Sequence, residues 1–522
     1  MIKRYANEEI GVIWSDKAKL QKWQDVELAV ILARERMGIF PIDTYAIIKQ
    51  FLDQHPIDDE AVAWWKARDK EINHDLNAFL DERLRHLPAE LHQFWHKGMT
   101  SYDTEEPAMA LLLRESVLQL ELPHRRITGI LLSMAEKYRY TPMLGRTHGQ
   151  EAKLQSFGKR CLTWLKVFSI AFNEMLGAHK LLSQSKLSGA IGNYQGLNPA
   201  EEAKALEILG LKPFIGATQI MPRVIYIPLA NALELMVASL TQIAEDIRLG
   251  ARSGNPIMQE PFGKKQKGSS AMPHKKNTIT CEQQIGMLTM ARNFAQMLRE
   301  RVITWEERAI EQSCVERVAW PDLFHVIMQS FKNMIKVLDG LQVYPDNMIL
   351  EIKNSRGCYA SEDAKDWLKE RFSDIGLRHE DAYRVVQLAS FLVHQVDAAR
   401  QELRDNPPKD LGEAHLALNP PAVHLLIDAA GQEPNDNPPE NPSDAPSPPV
   451  GKAYTNIKDI LLHGALLPHP ELAATAEEIT RWNKCLDQIF EDSQNIASWV
   501  ELFSLQHQLQ GEKHIFGSFG IK

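Results

Sequence analysis

Ile227-Pro228-Leu229-Ala230-Asn231-Ala232-Leu233-Glu234-Leu235-Met236-Val237-Ala238-Ser239-Leu240 opens a run that continues without an internal breaker to Gly250. Its apolar set is Leu229, Leu233, Leu235, Met236, Leu240, Ile243 and Ile247, with Glu234, Glu245, Asp246 and Arg248 among the polar positions. That recurrence follows the helical period rather than the strand period. Over the span 226–250 it predicts a helix of about seven turns. A stripe that long is stable in water only when other helices cover it, so the stretch calls for a bundle.

The flanking sequence supplies such partners. Residues 278–303 and 321–342 are helical in pattern, as are 105–137 and 151–186 before them. Near the start, Leu20, Trp23, Val26, Val30, Ala33 and Met37 mark an amphipathic helix over 19–37, stopped by Gly38 and Pro41. A helix is also expected over 60–85, carrying His74-Asp75. Between 141 and 150 Pro and Gly break the pattern, and Gly189 to Pro199 reads as irregular. Sustained alternation is missing, so few strands are expected and the fold class is all-α. Shorter helices follow at 361–370 and 379–404. Seven prolines within 431–450 mark a linker or exposed loop. Beyond it, 457–467 and 470–509 are helical, with Trp482, Leu486, Ile489, Ile496, Trp499 and Phe503 as anchors that need burial. This tail is either a small appended subdomain or a helix pair folded back on the bundle.

The chain has 522 residues and a formal charge of −9. The length allows several subdomains, and the charge argues against a dedicated nucleic-acid binder. The five cysteines are scattered, form no paired motif and suggest neither disulfides nor a metal cluster. No apolar run of 18 residues and no apolar leader is evident, so no membrane partner is expected and a cytoplasmic location is.

A second stretch carries chemistry. Gly268-Ser269-Ser270-Ala271-Met272-Pro273-His274-Lys275-Lys276-Asn277 combines small residues, two hydroxyls and two lysines, preceded by Lys264, Lys265 and Lys267. Taken alone it is a mobile, solvated basic loop that can close over an anion.

Gly268 to Asn277 matches the most specific signature of the fumarase/aspartase superfamily, and Glu260 to Lys276 resembles its adenylosuccinate lyase family in particular. Gly145-Arg146-Thr147-His148-Gly149-Gln150 with Phe157-Gly158 matches a second block, and Met99-Thr100-Ser101 a third. Arg4-Tyr5, Ile13-Trp14-Ser15, His74-Asp75, Ala217-Thr218-Gln219 and Ser355-Arg356-Gly357 fall in family order, within about residues 2–395. Nothing beyond about 405 is family-like. The resemblance implies a three-region, all-α subunit whose long central helices assemble a homotetramer, with each active site shared between subunits. The expected divisions are an N-terminal domain 1–105, a central bundle 106–350 with a catalytic loop 261–278, a C-terminal helical domain 351–430, the linker 431–450 and a helical extension 451–522.

The resemblance also implies the chemistry, β-elimination of fumarate with scission of a C–N bond, on a small nucleotide substrate and without metal or cofactor. Such a reaction needs a base at carbon, stabilisation of a doubly charged aci-carboxylate, and an acid for the leaving nitrogen. By resemblance Ser269 is the base, with its neighbour Ser270 as second choice, His148 the acid, His74 a second histidine that assists the acid or holds the phosphate, and Lys275 an electrostatic catalyst. Thr100, Ser101, Thr147 and Asn277 would hold the succinyl carboxylates together with Lys275. Arg4, Tyr5, Arg308, Ser313 and Arg317 would hold the nucleotide, chiefly its phosphate, Gln219 a substrate amide, and Asp75 would orient His74. The implied activity converts adenylosuccinate to AMP, and the succinyl-carboxamide ribonucleotide of purine synthesis to its carboxamide product.

The chain also departs from the pattern. Tyr102-Asp103-Thr104-Glu105-Glu106-Pro107 lacks the usual continuation of the Thr-Ser block. Glu306-Glu307-Arg308-Ala309-Ile310-Glu311-Gln312-Ser313-Cys314 keeps the arginine and serine of its block but neither histidine, Thr278 replaces a usual proline, and Val224 stands where aspartate is frequent. These changes bear on the substrate more than on the reaction class. The alternatives are another C–N lyase of the superfamily, such as an argininosuccinate lyase, and a catalytically silent oligomeric scaffold.

Overall fold

The computed structural model describes residues 1–405, 456–469 and 471–521, with side chains described as far as His394 in the first stretch. The expected linker at 431–450 lies outside the described residues. The chain divides into two compact units, Met1–Ser133 with Thr163–Val343, and Met134–Leu162 with Tyr344–Lys522.

In the first unit the expected long helix runs Ile227–Gly250 and packs on the helices Ile279–Glu300 and Glu311–Asp339. Leu229, Leu233, Met236, Leu240, Ile243 and Ile247 are fully buried on it, as the spacing predicts, together with Val237 and Ala244. Leu235 departs from the expected set and is 51% exposed, because it lies about 100° of helical rotation away from Met236 on the polar side. The helix is long and apolar enough to cross a membrane by composition, yet its apolar stripe is spent on its two neighbours. The Glu311–Asp339 helix begins ten residues before the expected start at 321, and Pro321 sits inside it.

A second core in this unit gathers Trp23, Trp65, Phe79 and Trp95 with Leu187, Leu197, Leu206 and Leu211. The expected 19–37 helix is Asp16–Arg36, with Ser15 as its N-cap. The single helix expected over 60–85 is two, Asp59–Ile72 and Asp75–Leu84. Asn73 takes a left-handed conformation (φ 53°) that ends the first, a conformation short polar side chains tolerate. The helix expected from 105 starts at Ser101 and ends at Leu118, and Glu121–Lys137 follows as a separate helix. The expected boundary at 105/106 therefore falls inside a helix, as does that at 350/351, within Pro345–Asn354.

The second unit holds the main strand pair among the described residues. Pro142–Thr147 and Gln150–Ser156 form an antiparallel hairpin, where a loop followed by helix was expected from 151. The helix begins only at Phe157. The Gln150–Ser156 strand is too short and polar to show an alternation in sequence. Its partner edge and the bonds from Phe157 N–H to Thr141 O (2.8 Å) and Gly158 N–H to Tyr138 O (3.0 Å) fix it in place.

The same unit contains the helices Ser361–Asp374 and His379–Asp405, and their core is completed by the C-terminal helices Ile457–Leu462, Ala476–Phe490 and Ser493–Leu502. Trp367, Phe372, Val385, Leu388 and Leu392 share one apolar cluster with Ile457, Leu461, Trp482, Leu486 and Trp499. Trp367 stacks parallel to Phe490 at 5.5 Å. The described tail is thus no appendage with a core of its own. Of its expected anchors Trp482, Leu486, Ile489 and Trp499 are buried in one core with the helices of residues 361–393 and Phe503 is half-buried against it, whereas Ile496 departs from the expected set and is 36% exposed.

Candidate functional site

The hairpin presents His148 by a physical necessity of its turn. Thr147 pairs with Gln150, so only His148 and Gly149 make the connection, and both have positive φ (54° and 77°). Two-residue connections of this kind match the twist of the flanking strands and favour glycine or a short polar residue. Histidine here puts an exposed imidazole at the tip, where the sequence block suggested only a break. Gly145 allows the bulge beneath it, since a Cβ there would meet Lys153 O at 2.7 Å. Arg146 reaches Glu351 at 3.3 Å.

The signature loop lies in the other unit. Glu260, buried, receives the N–H groups of Thr280 (3.1 Å) and Cys281 (3.1 Å), and so caps the Ile279–Glu300 helix at the loop's exit. Glu282 on the same helix is exposed. Within the loop, Lys275 N–H donates to Met272 O (3.1 Å), and a Cβ on Gly268 would lie 1.9 Å from Lys275 O. Gly268 is therefore needed for a close backbone crossing rather than only for freedom of movement. Ser269 Oγ accepts from Ala271 N–H (3.3 Å) and Met272 N–H (3.2 Å), two donors aimed at one oxygen. Lys275 is exposed and Asn277 half-buried.

Several of the expected nucleotide residues gather in the first unit. Asp75 pairs with Arg317 at 2.7 Å. Both line a cavity of about 240 Å³ with Ser313, Trp14, Trp23 and Tyr102. Arg308 lies 4.1 Å from the Tyr102 ring centroid and donates to Gln219 Oε1 at 2.9 Å. Ser313 Oγ donates to Ile310 O (2.9 Å) at the start of its helix. His74 is the N-cap of the Asp75–Leu84 helix, its Nδ1 accepting from Asn77 N–H at 3.3 Å. Thr100 is likewise an N-cap, its N–H bound to Asp103 at 2.9 Å, and Ser101 opens the helix that follows. Arg4 is exposed and Tyr5 half-buried. The adjacent Asn7 ties this terminus to the Glu311–Asp339 helix through His325 (3.0 Å). The structure thus brings Asp75, Ser313 and Arg317 to one cavity and Gln219 to Arg308. Thr147 and His148 belong to one compact unit and Ser269, Lys275 and Asn277 to the other.

Three features were not found from the sequence. Glu105 lines the cavity, and no hydrogen bond or ion pair to it is described. Burial, reinforced by the nearby Asp75 carboxylate, pushes its carboxyl up to about 7 against the pull of Arg317 and Arg308. Lys19 reaches the same cavity across the faces of Trp65 (4.3 Å) and Trp23 (5.0 Å), and burial pulls its ammonium down. Below them Arg223 is buried between Glu106 (2.7 Å) and Glu316 (2.9 Å), with Tyr226 Oη donating to Glu106 (3.1 Å). The only signal was the pair Glu105-Glu106 inside an apolar helical pattern, which showed a departure without showing where it points.

A profile described as Lyase matches residues 12–292. The adenylosuccinate lyase of Thermotoga maritima is 34% identical over 387 residues, 74% of this chain and 87% of that protein. That of Synechocystis sp. is 36% identical over 394 residues, again 74% and 87% of the two chains. Among solved structures, a fumarate lyase from Mesorhizobium sp. BNC1 superposes with a TM-score of 0.67 at 22% identity, covering 81% of this chain and 94% of that one. The 3-carboxy-cis,cis-muconate lactonizing enzyme of Pseudomonas putida gives 0.66 at 19% identity, covering 94% and 98%. At those identities the structural matches speak for the fold.

Proposed function

Since the chain belongs to the adenylosuccinate lyase family, we propose that it eliminates fumarate from adenylosuccinate to give AMP, and from the succinyl-carboxamide ribonucleotide of purine synthesis. The observation that carries the mechanism is the pair of N–H groups, from Ala271 and Met272, aimed at Ser269 Oγ. Donors so placed favour the ionised oxygen over the hydroxyl, which is what a serine needs to remove a proton from carbon. Loop closure would strengthen this by excluding water.

His148 is then the acid that protonates the departing nitrogen, with His74 assisting. Lys275, with Asn277, Thr100, Ser101 and Thr147, would meet the two carboxylates. Arg308, Ser313 and Arg317, with Arg4 and Tyr5, would hold the phosphate, a task suited to guanidinium groups, and Gln219 the substrate amide. Asp75 stands between His74 in sequence and Arg317 in space (2.7 Å), so it can couple the two subsites. The same reading includes a three-region subunit, a homotetramer and a soluble cytoplasmic enzyme without nucleic-acid or membrane partners. The exposed Leu249, Ile279 and Val318 on the long helices support association.

The test is fumarate release followed by absorbance. We expect turnover of adenylosuccinate and a fall of about a thousandfold or more in Ser269→Ala and His148→Gln. Undiminished turnover in either variant would overturn its assignment. Turnover of argininosuccinate in place of adenylosuccinate would overturn the substrate.

A further inference from the structure

An isolated two-stranded hairpin is marginally stable in water, and among the described residues the one carrying His148 pairs only its own two strands, which makes Gln150–Ser156 an edge strand. That edge is met by the C-terminal segment. Glu512 Oε1 accepts the N–H of Ser156 at 2.8 Å, at the base of the strand. Higher on the same strand, Lys153 Nζ donates to Asp363 Oδ1 at 3.0 Å, and Gln508 Nε2 donates to the other oxygen, Oδ2, at 2.8 Å. The short helix Leu505–Leu509 packs on the strand between these bonds.

Neither Glu512 nor Gln508 belongs to the apolar core that holds the C-terminal helices together. Glu512 bonds the hairpin directly, whereas Gln508 acts through Asp363, the partner of Lys153, and also donates to Leu502 O at 2.8 Å. The segment also lies beyond residues 12–292, the span matched by the Lyase profile.

We propose that the C-terminal segment is a positioning clamp for the hairpin, with Glu512 and Gln508 as positioning residues that fix the aim of His148. The proposal rests on His148 acting as the acid. A carboxylate accepting from a backbone N–H is a strong, directional bond. A shift of about 1 Å in a reacting group is enough to slow a reaction by orders of magnitude. The clamp thus ties the turn's geometry to a stretch some 350 residues further along the chain (|i−j| = 356).

The experiment uses the full chain with Glu512→Ala, Gln508→Ala and Glu512→Gln, measuring kcat and KM for fumarate release and amide hydrogen exchange across residues 142–156. We expect Glu512→Ala to lower kcat about tenfold at constant KM and to speed exchange of the 150–156 amides. Gln508→Ala should do the same more weakly. Glu512→Gln keeps an acceptor oxygen and should recover kcat to within about threefold of wild type. Wild-type kcat in Glu512→Ala, or a lowered kcat with unchanged exchange, would overturn the clamp. His148→Gln separates the two ideas. Its full turnover would defeat the assignment of His148 and with it the clamp's catalytic purpose, whereas its inactivity beside an unaffected Glu512→Ala would defeat the clamp alone.

Discussion

Glu105 shows how one residue changes character when its surroundings are known. In sequence it is one of two adjacent acids in a helix. In the structure it faces a cavity with Asp75, Asp16 and Lys19, under the fields of Arg308, Arg317 and Glu106. Its carboxyl is pushed up to about 7 from an ordinary value of 4.5, by burial first and by Asp75 second. The native state therefore holds this proton more tightly than the unfolded chain. Between about pH 4.5 and 7 folding takes up a proton, so the group's contribution to stability is intact below that window and is lost as pH rises through it. Relative to Glu105→Gln, wild type should lose about 1–2 kcal/mol between pH 5 and pH 8, the partial solvent contact of the carboxyl having been allowed for. Urea unfolding of both proteins at the two pH values checks this. A difference between them that stays constant across the range would show that Glu105 ionises normally.

At the scale of elements, the signature loop and the hairpin differ in how much of them was readable. Ser269, Lys275 and Asn277 were identified from their motif, but the motif gave Gly268 as a point of flexibility. The crossing of Gly268 against Lys275 O makes it a steric requirement. Gly268→Ala should therefore lower kcat at least about tenfold while leaving thermal stability within about 1 kcal/mol, because the loop is largely exposed and contributes little to the core. Fumarate release and a melting curve test this. Normal turnover in the variant would mean that the crossing is not kept during catalysis. The hairpin was missed because nine polar and small residues in a row, from Gly145 to Lys153, carry neither a strand nor a helix period. Its evidence lies in backbone partners at Thr141 and Tyr138 and in the turn conformation of His148 and Gly149.

For the whole molecule, the C-terminal helices were expected to need burial, and they find it in a place that periodicity does not specify. Trp499 is fully buried, 5.1 Å from Trp367 and 5.5 Å from Phe490 by ring centroids, and its Nε1 donates to Lys458 O at 3.1 Å. Trp499→Ala should cost about 3–5 kcal/mol. Because one core is shared, Ser361–Asp374 and Ala476–Phe490 should lose hydrogen-exchange protection together. If Ala476–Phe490 lost protection while Ser361–Asp374 kept it, the tail would be an independent subdomain after all.

The sequence by itself determined the helical class, the long bundle helix at 227–250 and the family to which the chemistry belongs, because apolar spacing and contiguous motifs are local properties. It also pointed to Ser269 and Lys275 within one block and to His148 within another as the candidate residues. Only the tertiary structure decided which helices share a core, that His148 sits at a hairpin tip, that Glu105 and Lys19 join Asp75 and Arg317 at one cavity, and that Glu512 reaches Ser156. These depend on groups far apart in the chain meeting, and a contact across 356 positions leaves no trace in the period or composition of either partner.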